Sequence, residues 1–432
     1  MSVRVLSIQS HVTYGYVGGK AAVFPLQTLG YDVDAVNTVN FSNHSGYGRF
    51  GGSKATADEL TKIFDTMEAN DLLTQDRLLT GYIPGAEALS VIATLVKRLK
   101  SRNPNLIYLL DPVLGDSGKL YVAPDVIPIY RELLPCSTVI TPNWFEVETL
   151  TGIKLDSMRT IRQALRTLHE KYKVPNVVMS SMPIKDFIRE ALPKDLCPDF
   201  LINRAPYPTE PFEIKETNST SALICISSSY IQPDTNTGDS DEISAIHAHI
   251  LPCIPGYFSG VGDLFSALVL AHYNTPSGPS SLPDITDFPL SHTSSPKRVS
   301  ALDADDENDH YHTPLSLSTT FALTKTFSIL QLTDLLSRSS PNPGENTAEK
   351  DATDEEKDKE DPERRVRRQR ARELRLVQGR DILKWVPDSP AWRKDRGSVV
   401  LFKLGKGNGV KATTLVEVLV KEMRVWKGFW KE

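Results

Sequence analysis

Short apolar runs alternate with longer stretches in which apolar residues recur every three or four positions, from Val3 to about Val178. "VRVLSIQ" has the compactness of a buried strand, and "GGKAAVFPLQTLG" has helical spacing and ends on Gly30, a C-cap residue. "DVDAVNTV" alternates as a strand does, and "ADELTKIFDTMEAN" is an amphipathic helix. "RLLTGYI" predicts a strand, and "AEALSVIATLVKRLKSRNP" a helix stopped by Pro104. "NLIYLLDPVLGD" runs from a buried strand into a turn at Pro112, and "STVITPN" is strand-like. "WFEVETLTG" opens a helix closed by Gly152, "TIRQALRTLHEKY" is helical and "NVVMSS" is a strand. Strands alternating with helices of this length predict an α/β fold with a mostly parallel central sheet. Ligands of such sheets bind outside the carboxyl ends of the strands. The polar residues just after each strand are therefore the candidates for chemistry.

After Ser181 the pattern loosens. Residues 1–273 read as one α/β domain with a Pro-rich, polar loop insert at about 186–219, followed by the strand-like "ALICISSSY" and "EISAIHAHILPCI" and the helix-like "DLFSALVLAHY". Residues 274–314 are rich in Ser, Pro and Asp and read as a disordered insert. Residues 315–336 regain helical periodicity as a C-terminal helix of the domain. Residues 337–372 form a charged low-complexity insert, acidic and then basic ("RRVRRQRAR"), read as a solvated run that is partly helical at its basic end; a nuclear-targeting or nucleic-acid patch is the minority reading. Residues 373–385 end the domain, and 386–432 are an extension of unknown role.

Length alone, at 432 residues, suggests two or three domains, but the composition shifts favour one large domain interrupted by inserts. A formal charge of -5 gives no overall sign of nucleic-acid binding. Four cysteines without metal-type spacing suit free thiols in a reducing compartment. The N-terminus has no signal-peptide pattern, and no apolar run is long enough to cross a bilayer, so the expectation is a cytoplasmic protein, with a nuclear share the alternative.

"GYFSGVGDLF" (Gly256 to Phe265) places two glycines and an acid at a helix start. Glycine disfavours a helix interior, so Gly260 and Gly262 call for backbone freedom or close approach of a ligand. Free N–H groups and the positive end of the dipole make such a terminus an anion site. Asp263 beside a phosphate fits if it takes a proton from an attacking hydroxyl, and an anion hole with a base is what phosphoryl transfer needs. A plain turn and N-cap is the alternative. Asn143 and Glu146 ("NWFE") open a helix after a strand; they suit a hard cation such as Mg²⁺, or else a simple capping box. Asp111 and Asp116 flank the turn "PVLG", as cation ligands or as surface turn residues. No Walker A pattern occurs, which excludes the P-loop route. Ser10 and His11 follow the first strand, "FSNHSGYG" (Phe41 to Gly48) the second, and Tyr82 the strand "LLTG". As a set they offer an aromatic small molecule hydroxyls, imidazoles and rings at one end of the sheet.

The order of "SIQSHV", "FSNHSGYG", "LTGY", "DPVLGD", "TPNWFE" and "GVGDLF" closely resembles the pyridoxal kinases of the ribokinase-like superfamily, in a fungal type with inserts. The resemblance covers Val3 to about Ser181, Ala222 to Tyr273 and C-terminal parts through "RELRLVQGRDI". It implies a three-layer α/β/α sandwich, a homodimer, no nucleic-acid or membrane partner, and ATP-dependent phosphorylation of the 5′-hydroxyl of pyridoxal, pyridoxine and pyridoxamine. It implies Asp263 as the base, with Gly260 and Gly262 framing the anion hole. Ser10, Val17, Phe41, Ser45 and Tyr82 would line the vitamin pocket. Asp111, Thr141, Asn143, Ser181, Val261 and Gly262 would attend ATP, with Tyr121 on a loop over the site. Asp116 and Glu146 would hold Mg²⁺, with Zn²⁺ or another divalent cation as the alternative, beside a monovalent cation such as K⁺. Val261 stands where the family commonly has Thr, which removes a hydroxyl contact to phosphate, and Ser45 stands where Thr is frequent. The rival readings are another ribokinase-like enzyme, such as a hydroxymethylpyrimidine kinase, and a vitamin-binding protein without catalysis.

Overall fold

The computed structural model describes residues 3–194, 196, 222–231, 242–254, 256–273, 312–338, 358–385, 400–404, 414–418 and 421–431. Fourteen strands run in chain order: β1 (Arg4–Val12), β2 (Asp32–Phe41), β3 (Gly52–Lys54), β4 (Arg77–Thr80), β5 (Ile107–Leu110), β6 (Gly115–Asp116), β7 (Lys119–Leu120), β8 (Val139–Ile140), β9 (Asn176–Pro183), β10 (Ala222–Tyr230), β11 (Ser244–Pro252), β12 (Val400–Leu404), β13 (Thr414–Val418) and β14 (Arg424–Val425). Ten of them form one sheet in the order β14-β11-β10-β9-β8-β5-β4-β1-β2-β3. Its centre, from β9 to β2, is parallel. Both edges turn antiparallel, with β10, β11 and β14 on one side and β3 on the other. The β6–β7 hairpin and the β12–β13 pair stand apart from this sheet.

Alternation along the central strands explains the layers. Tyr108 and Leu110 of β5 enter one apolar cluster and Ile107 and Leu109 the other, so both faces of the sheet are covered. The first cluster packs under helices Ala57–Ala69, Ala86–Arg102, Val126–Leu133, Trp144–Thr151 and Met158–Arg166. The second packs under Gly19–Thr28, Val261–His272, Pro314–Arg338 and Arg380–Lys384. This is the three-layer α/β/α sandwich.

Local signals hold at several ends. Thr56 and Glu59 form a reciprocal capping box for the helix at 57, and Gly152 closes the helix at 151 in the left-handed conformation. The helix expected at 315–336 spans Pro314–Arg338. Several strands differ in length from their apolar runs. β4 stops at Thr80, β8 is only Val139–Ile140, and β1 carries on through Ser10 and His11, which therefore lie within a strand rather than after it. Phe41 likewise ends β2 from inside. The parallel ladder extends as far as each neighbour offers partners, which a single strand's sequence does not show.

The segment read as a loop at 186–219 begins with a short helix, Asp186–Ala191, and residues 197–221 lie outside the described residues. So do 274–311 and 339–357, which hold most of the two expected inserts. The basic end of the charged run is helical, as its pattern suggests, but it is not fully solvated. Residues 362–371 form a helix capped by Asp361, and Arg368, Gln369 and Arg372 are buried. The extension after Trp385 returns to the core. β14 pairs with β11, and Trp426, Phe429 and Trp430 are buried against the first cluster. Trp430 Nε1 donates to the Ser244 carbonyl at 2.9 Å, and Arg162 Nε donates to the Phe429 carbonyl. No helix among the described residues is long and apolar enough to cross a membrane.

Phe429 is 2 % exposed, so Phe429→Ala should destabilise the protein by about 3–5 kcal/mol, the usual cost of truncating a core aromatic. Urea denaturation measures it; a loss below about 1 kcal/mol would show that the tail does not pack as described.

Candidate active site

The parallel strands deliver their following residues to one edge. Ile8 lies beside Thr80, Thr80 beside Leu110, and Leu110 beside Ile140. Backbone bonds continue the ladder past the strand ends. Gly81 N donates to Ile8 O, Asp111 N to Thr80 O, Thr141 N to Leu110 O and Ser180 N to Pro142 O. Tyr82, Asp111, Thr141 and the residues around Ser181 are thus fixed in one row. At β9 the register shifts so that Ser180 and Ser181 together face Cys225 of β10, a bulge that re-aims Ser181 at the strand's carboxyl end.

The helix Val261–His272 starts over this row. Gly260 is its N-cap at φ 79°, and a Cβ there would lie 2.0 Å from the Tyr16 carbonyl oxygen. Both the left-handed backbone and the contact demand glycine. Gly262 differs: it is exposed, and a Cβ would meet nothing within 4 Å. Its role is therefore not forced by packing in the protein alone. The first N–H groups of the helix, at Val261 to Asp263, have no intrahelical acceptors. From Leu264 to Ala271 the helix is buried all round, so its position is set by the core.

Asp263 Oδ2 accepts the Gly18 N–H at 2.7 Å. Gly18 itself presses on Ser10, whose Oγ would be 2.2 Å from a Cβ at that position. Ser10, Gly18 and Asp263 are therefore contiguous, and Val17 lies next in the chain. One helical turn below Asp263, Ser266 Oγ donates to Asp111 Oδ2 at 2.9 Å and lies 2.8 Å from Thr141 Oγ1. With the Ser266 proton directed at Asp111, Thr141 donates to Ser266. Thr141, expected along the nucleotide, is buried and has its hydroxyl in this relay.

Asn143 and Glu146 form a capping box: Asn143 Oδ1 accepts Glu146 N at 3.0 Å, and Glu146 Oε2 accepts Asn143 N at 2.8 Å. Glu146 Oε1 also accepts Leu114 N at 2.9 Å and Gly115 N at 3.4 Å, and Asn143 Nδ2 donates to Gly115 O. The pair thus locks the turn between β5 and the β6–β7 hairpin. Asp116 Oδ1 accepts Ser117 N. Tyr121 follows that hairpin, half-exposed, and hydrogen-bonds Tyr257 in the loop before Gly260. Among the described residues, no group of three or more His, Cys, Asp or Glu side chains is arranged to hold a metal ion.

Burial first, and then the nearby Asp263, push the Asp111 carboxyl up to about 8 against the opposing Ser266 bond. Burial raises Asp263 too, against the Gly18 N–H. Its side chain is part-exposed, yet protein surrounds it on most sides. Glu146 is raised by burial and then by Asp111, with its backbone donors in opposition. The edge is a well of acidic groups in low dielectric, open at the helix start.

Ser266, Tyr257, His44, Tyr47 and Glu373 complete the surroundings; all but Ser266 lie within quoted motifs, yet none stood out there as a site residue. Ser266 was legible only as one position in an apolar helix. Glu373 accepts from Tyr16 N, His44 Nε2 and Tyr47 Oη, although 357 residues separate it from Tyr16.

The sandwich, its sheet order and the acid beneath a glycine-framed helix start define a small-molecule kinase of the ribokinase-like superfamily. Residues 57–245 match the family model described as phosphomethylpyrimidine kinase. The pyridoxal kinase of Homo sapiens is 36% identical over 273 residues, which are 62% of this chain and 76% of that protein. The pyridoxal kinase of Arabidopsis thaliana is 50% identical over 167 residues, 38% of this chain and 54% of that protein. A solved pyridoxal kinase from Leishmania donovani, in complex with ADP and pyridoxamine, superposes with a TM-score of 0.59 at 26% identity, covering 89% of this chain and 97% of that one. The chain belongs to the pyridoxal kinase family.

The Asp111 carboxyl has an unfolded value near 3.8 and a folded value near 8. Its ionisation therefore costs folded-state stability progressively as pH rises from about 4 to about 8, and the group is neutral in both states below that window. Asp111→Asn keeps an acceptor for Ser266 and removes the charge. Without nucleotide or divalent cation, its melting temperature should exceed that of the wild type at pH 8, with the gap closing towards pH 4. A gap that is constant or widens on acidification would contradict the burial of an uncompensated charge.

Proposed function

We propose that the chain transfers the γ-phosphoryl group of ATP to the 5′-hydroxyl of pyridoxal, and also of pyridoxine and pyridoxamine, with Asp263 as the base. The observation that carries this reading is the placement of Asp263. It lies in the first turn of a helix that starts at the left-handed Gly260 and leaves Gly262 exposed, and it is tied to Gly18 against Ser10. One carboxylate thus touches the vitamin side and the phosphate side together. The hydroxyl oxygen attacks the γ-phosphorus, its proton passes to Asp263, and the bond to the β–γ bridging oxygen breaks with its electron pair leaving on ADP. Burial raises the Asp263 carboxyl, which is the direction that strengthens a carboxylate as a base.

Ser10, Val17, Phe41, Ser45 and Tyr82 are assigned to the vitamin, and their positions at the ends of β1, β2 and β4 support this. Asp111, Asn143, Ser181, Tyr121, Val261 and Gly262 are assigned to ATP, with Thr141 acting from beneath through Ser266. Val261 carries no hydroxyl, so its contribution to phosphate is its backbone N–H. Mg²⁺ keeps several waters and is commonly held by one or two carboxylates with substrate phosphates, so the absence of a three-acid cluster among the described residues does not oppose it. Asp111 and Asp116 fit it, whereas Glu146, whose oxygens accept backbone N–H groups, acts through the turn it holds. When bound, such a cation offsets the charge of the ATP phosphates. K⁺, Zn²⁺ and the homodimer rest on the family resemblance, and a cytoplasmic location on the reducing-compartment reading of the four cysteines.

The phosphomethylpyrimidine kinase match keeps one rival open to test. A coupled assay with Mg-ATP across the three vitamers and hydroxymethylpyrimidine decides it; turnover of the pyrimidine in preference to pyridoxal would overturn the reading.

Asp263→Asn should lower kcat by about 10²–10⁴-fold, because the amide cannot accept the proton, while ATP affinity stays close to that of the wild type. Retention of more than about half the rate would remove Asp263 from the role of base. Gly262→Ala meets no steric obstacle in the protein alone and gains helix propensity, so its stability should hold or rise by up to about 1 kcal/mol. Its KM for ATP should nevertheless increase, since the methyl group occupies the approach to the helix N–H groups. An unchanged KM would place the phosphate elsewhere.

A further inference from the structure

We propose that Glu373, which follows the charged insert, is a positioning residue that holds the vitamin-binding half of the site in shape. The inference rests on the kinase reading above. The Glu373 side chain is 7% exposed. Its Oε2 accepts the Tyr16 N–H at 2.8 Å. Its Oε1 accepts Tyr47 Oη at 2.8 Å and His44 Nε2 at 3.2 Å. A Cβ at Gly15 would lie 2.4 Å from that same oxygen, so the loop leans directly on the carboxylate.

The tautomer of His44 follows from its other nitrogen. Gly46 N donates to His44 Nδ1 at 3.2 Å, and Ser259 Oγ lies 3.4 Å from it. An Nδ1 that accepts places the proton on Nε2, which donates to Glu373. A continuous path therefore runs from Glu373 through His44 to Ser259, the residue before Gly260. Two of the groups bonded to Glu373 precede a residue assigned to the vitamin, Tyr16 before Val17 and His44 before Ser45, while the far end of the path, Ser259, precedes Gly260 of the anion hole. Nothing on it touches Asp111, Asn143 or Ser181 on the nucleotide side. Arg365, in the helix Pro362–Ala371, donates to the Gly46 carbonyl at 2.7 Å and braces the same turn.

Three donors converge on two carboxylate oxygens, so the arrangement needs an acceptor on both sides. Glutamine at 373 keeps the shape but turns one side into a donor, facing either Tyr16 N–H or the His44 and Tyr47 pair. The loop at 15–18 or the turn at 44–47 must then shift. A purely structural carboxylate would lower stability and disturb both substrates alike. A positioning one separates them.

The test compares wild type, Glu373→Gln and Tyr47→Phe by calorimetric binding of pyridoxal without ATP, by the KM for pyridoxal and for ATP, and by thermal melting. Glu373→Gln should weaken pyridoxal binding and raise its KM by about tenfold or more, with the ATP KM within about twofold. Tyr47→Phe removes one donor and should shift pyridoxal alone, by about threefold. Pyridoxal affinity unchanged in a folded Glu373→Gln protein, or both KM values rising together with a lowered melting temperature, overturns the proposal. If Glu373→Gln does not fold, Tyr47→Phe decides: an unchanged pyridoxal KM overturns it. A wild-type protein that turns over Mg-ATP with a pyrimidine and does not bind pyridoxal overturns the kinase reading itself, a result distinct from failure of the variants alone.

Discussion

Burying a carboxylate in low dielectric is costly, and this fold buries acids together at the carboxyl edge of its sheet. What compensates each one sorts them by role. Glu146 accepts backbone N–H groups from Asn143, Leu114 and Gly115, so its geometry is locked and its charge is partly offset by fixed dipoles, although burial and Asp111 still raise its carboxyl. Asp111 has the Ser266 hydroxyl, and Asp263 has the Gly18 N–H. These two keep lone pairs for a cation or a proton. The acid engaged most fully by the backbone holds the turn, and the two engaged least are the ones proposed for chemistry.

The helix Val261–His272 converts that electrostatic tension into a working geometry. Its buried stretch fixes its depth in the core, Gly260 lets the chain enter it under the Tyr16 carbonyl, and Ser266 reaches down to Asp111. The helix therefore sets the distance between Asp263, the Gly260–Gly262 turn and Asp111, the groups proposed as base, anion hole and nucleotide-side acid. Because Thr141 and Ser266 are both buried, this spacing does not depend on the solvent-exposed surface.

The parallel core, the alternation of its faces and the placement of polar residues at one edge were legible because each rests on local pattern. "NWFE" carried two readings, and the capping box is what the structure displays, since that geometry needs only the first turn of one helix. Strand ends were less legible: β1 runs on through His11 because β2 offers it partners beyond Gln9. The relay from Thr141 through Ser266 to Asp111 joins residues 125 and 155 positions apart, and no spacing rule reports it. The same holds for the basic run, where charge composition suggested solvent exposure. Arg365 and Arg368 instead find acceptors in Gly46 and Asp358. Likewise β14 and the aromatic tail complete an edge that only β11 could reveal.

Long interruptions between elements that meet in space are physically tolerable, because the entropy of closing a loop grows only with the logarithm of its length. The helices Val261–His272 and Pro314–Arg338 pack together in the second apolar cluster although the chain between them is long. Arg380–Lys384 joins the same cluster after a second interruption, with Leu374 and Leu376 leading into it. Apolar contacts on either side of each insert thus determine where the chain re-enters the fold. Leu374 sits in that cluster beside Glu373, so core packing sets the carboxylate's place before any substrate arrives. A residue late in the chain can in this way belong to the site as fully as one in the first strand. The segment after an insert then answers to the chemistry of the pocket, while the length of the insert itself does not.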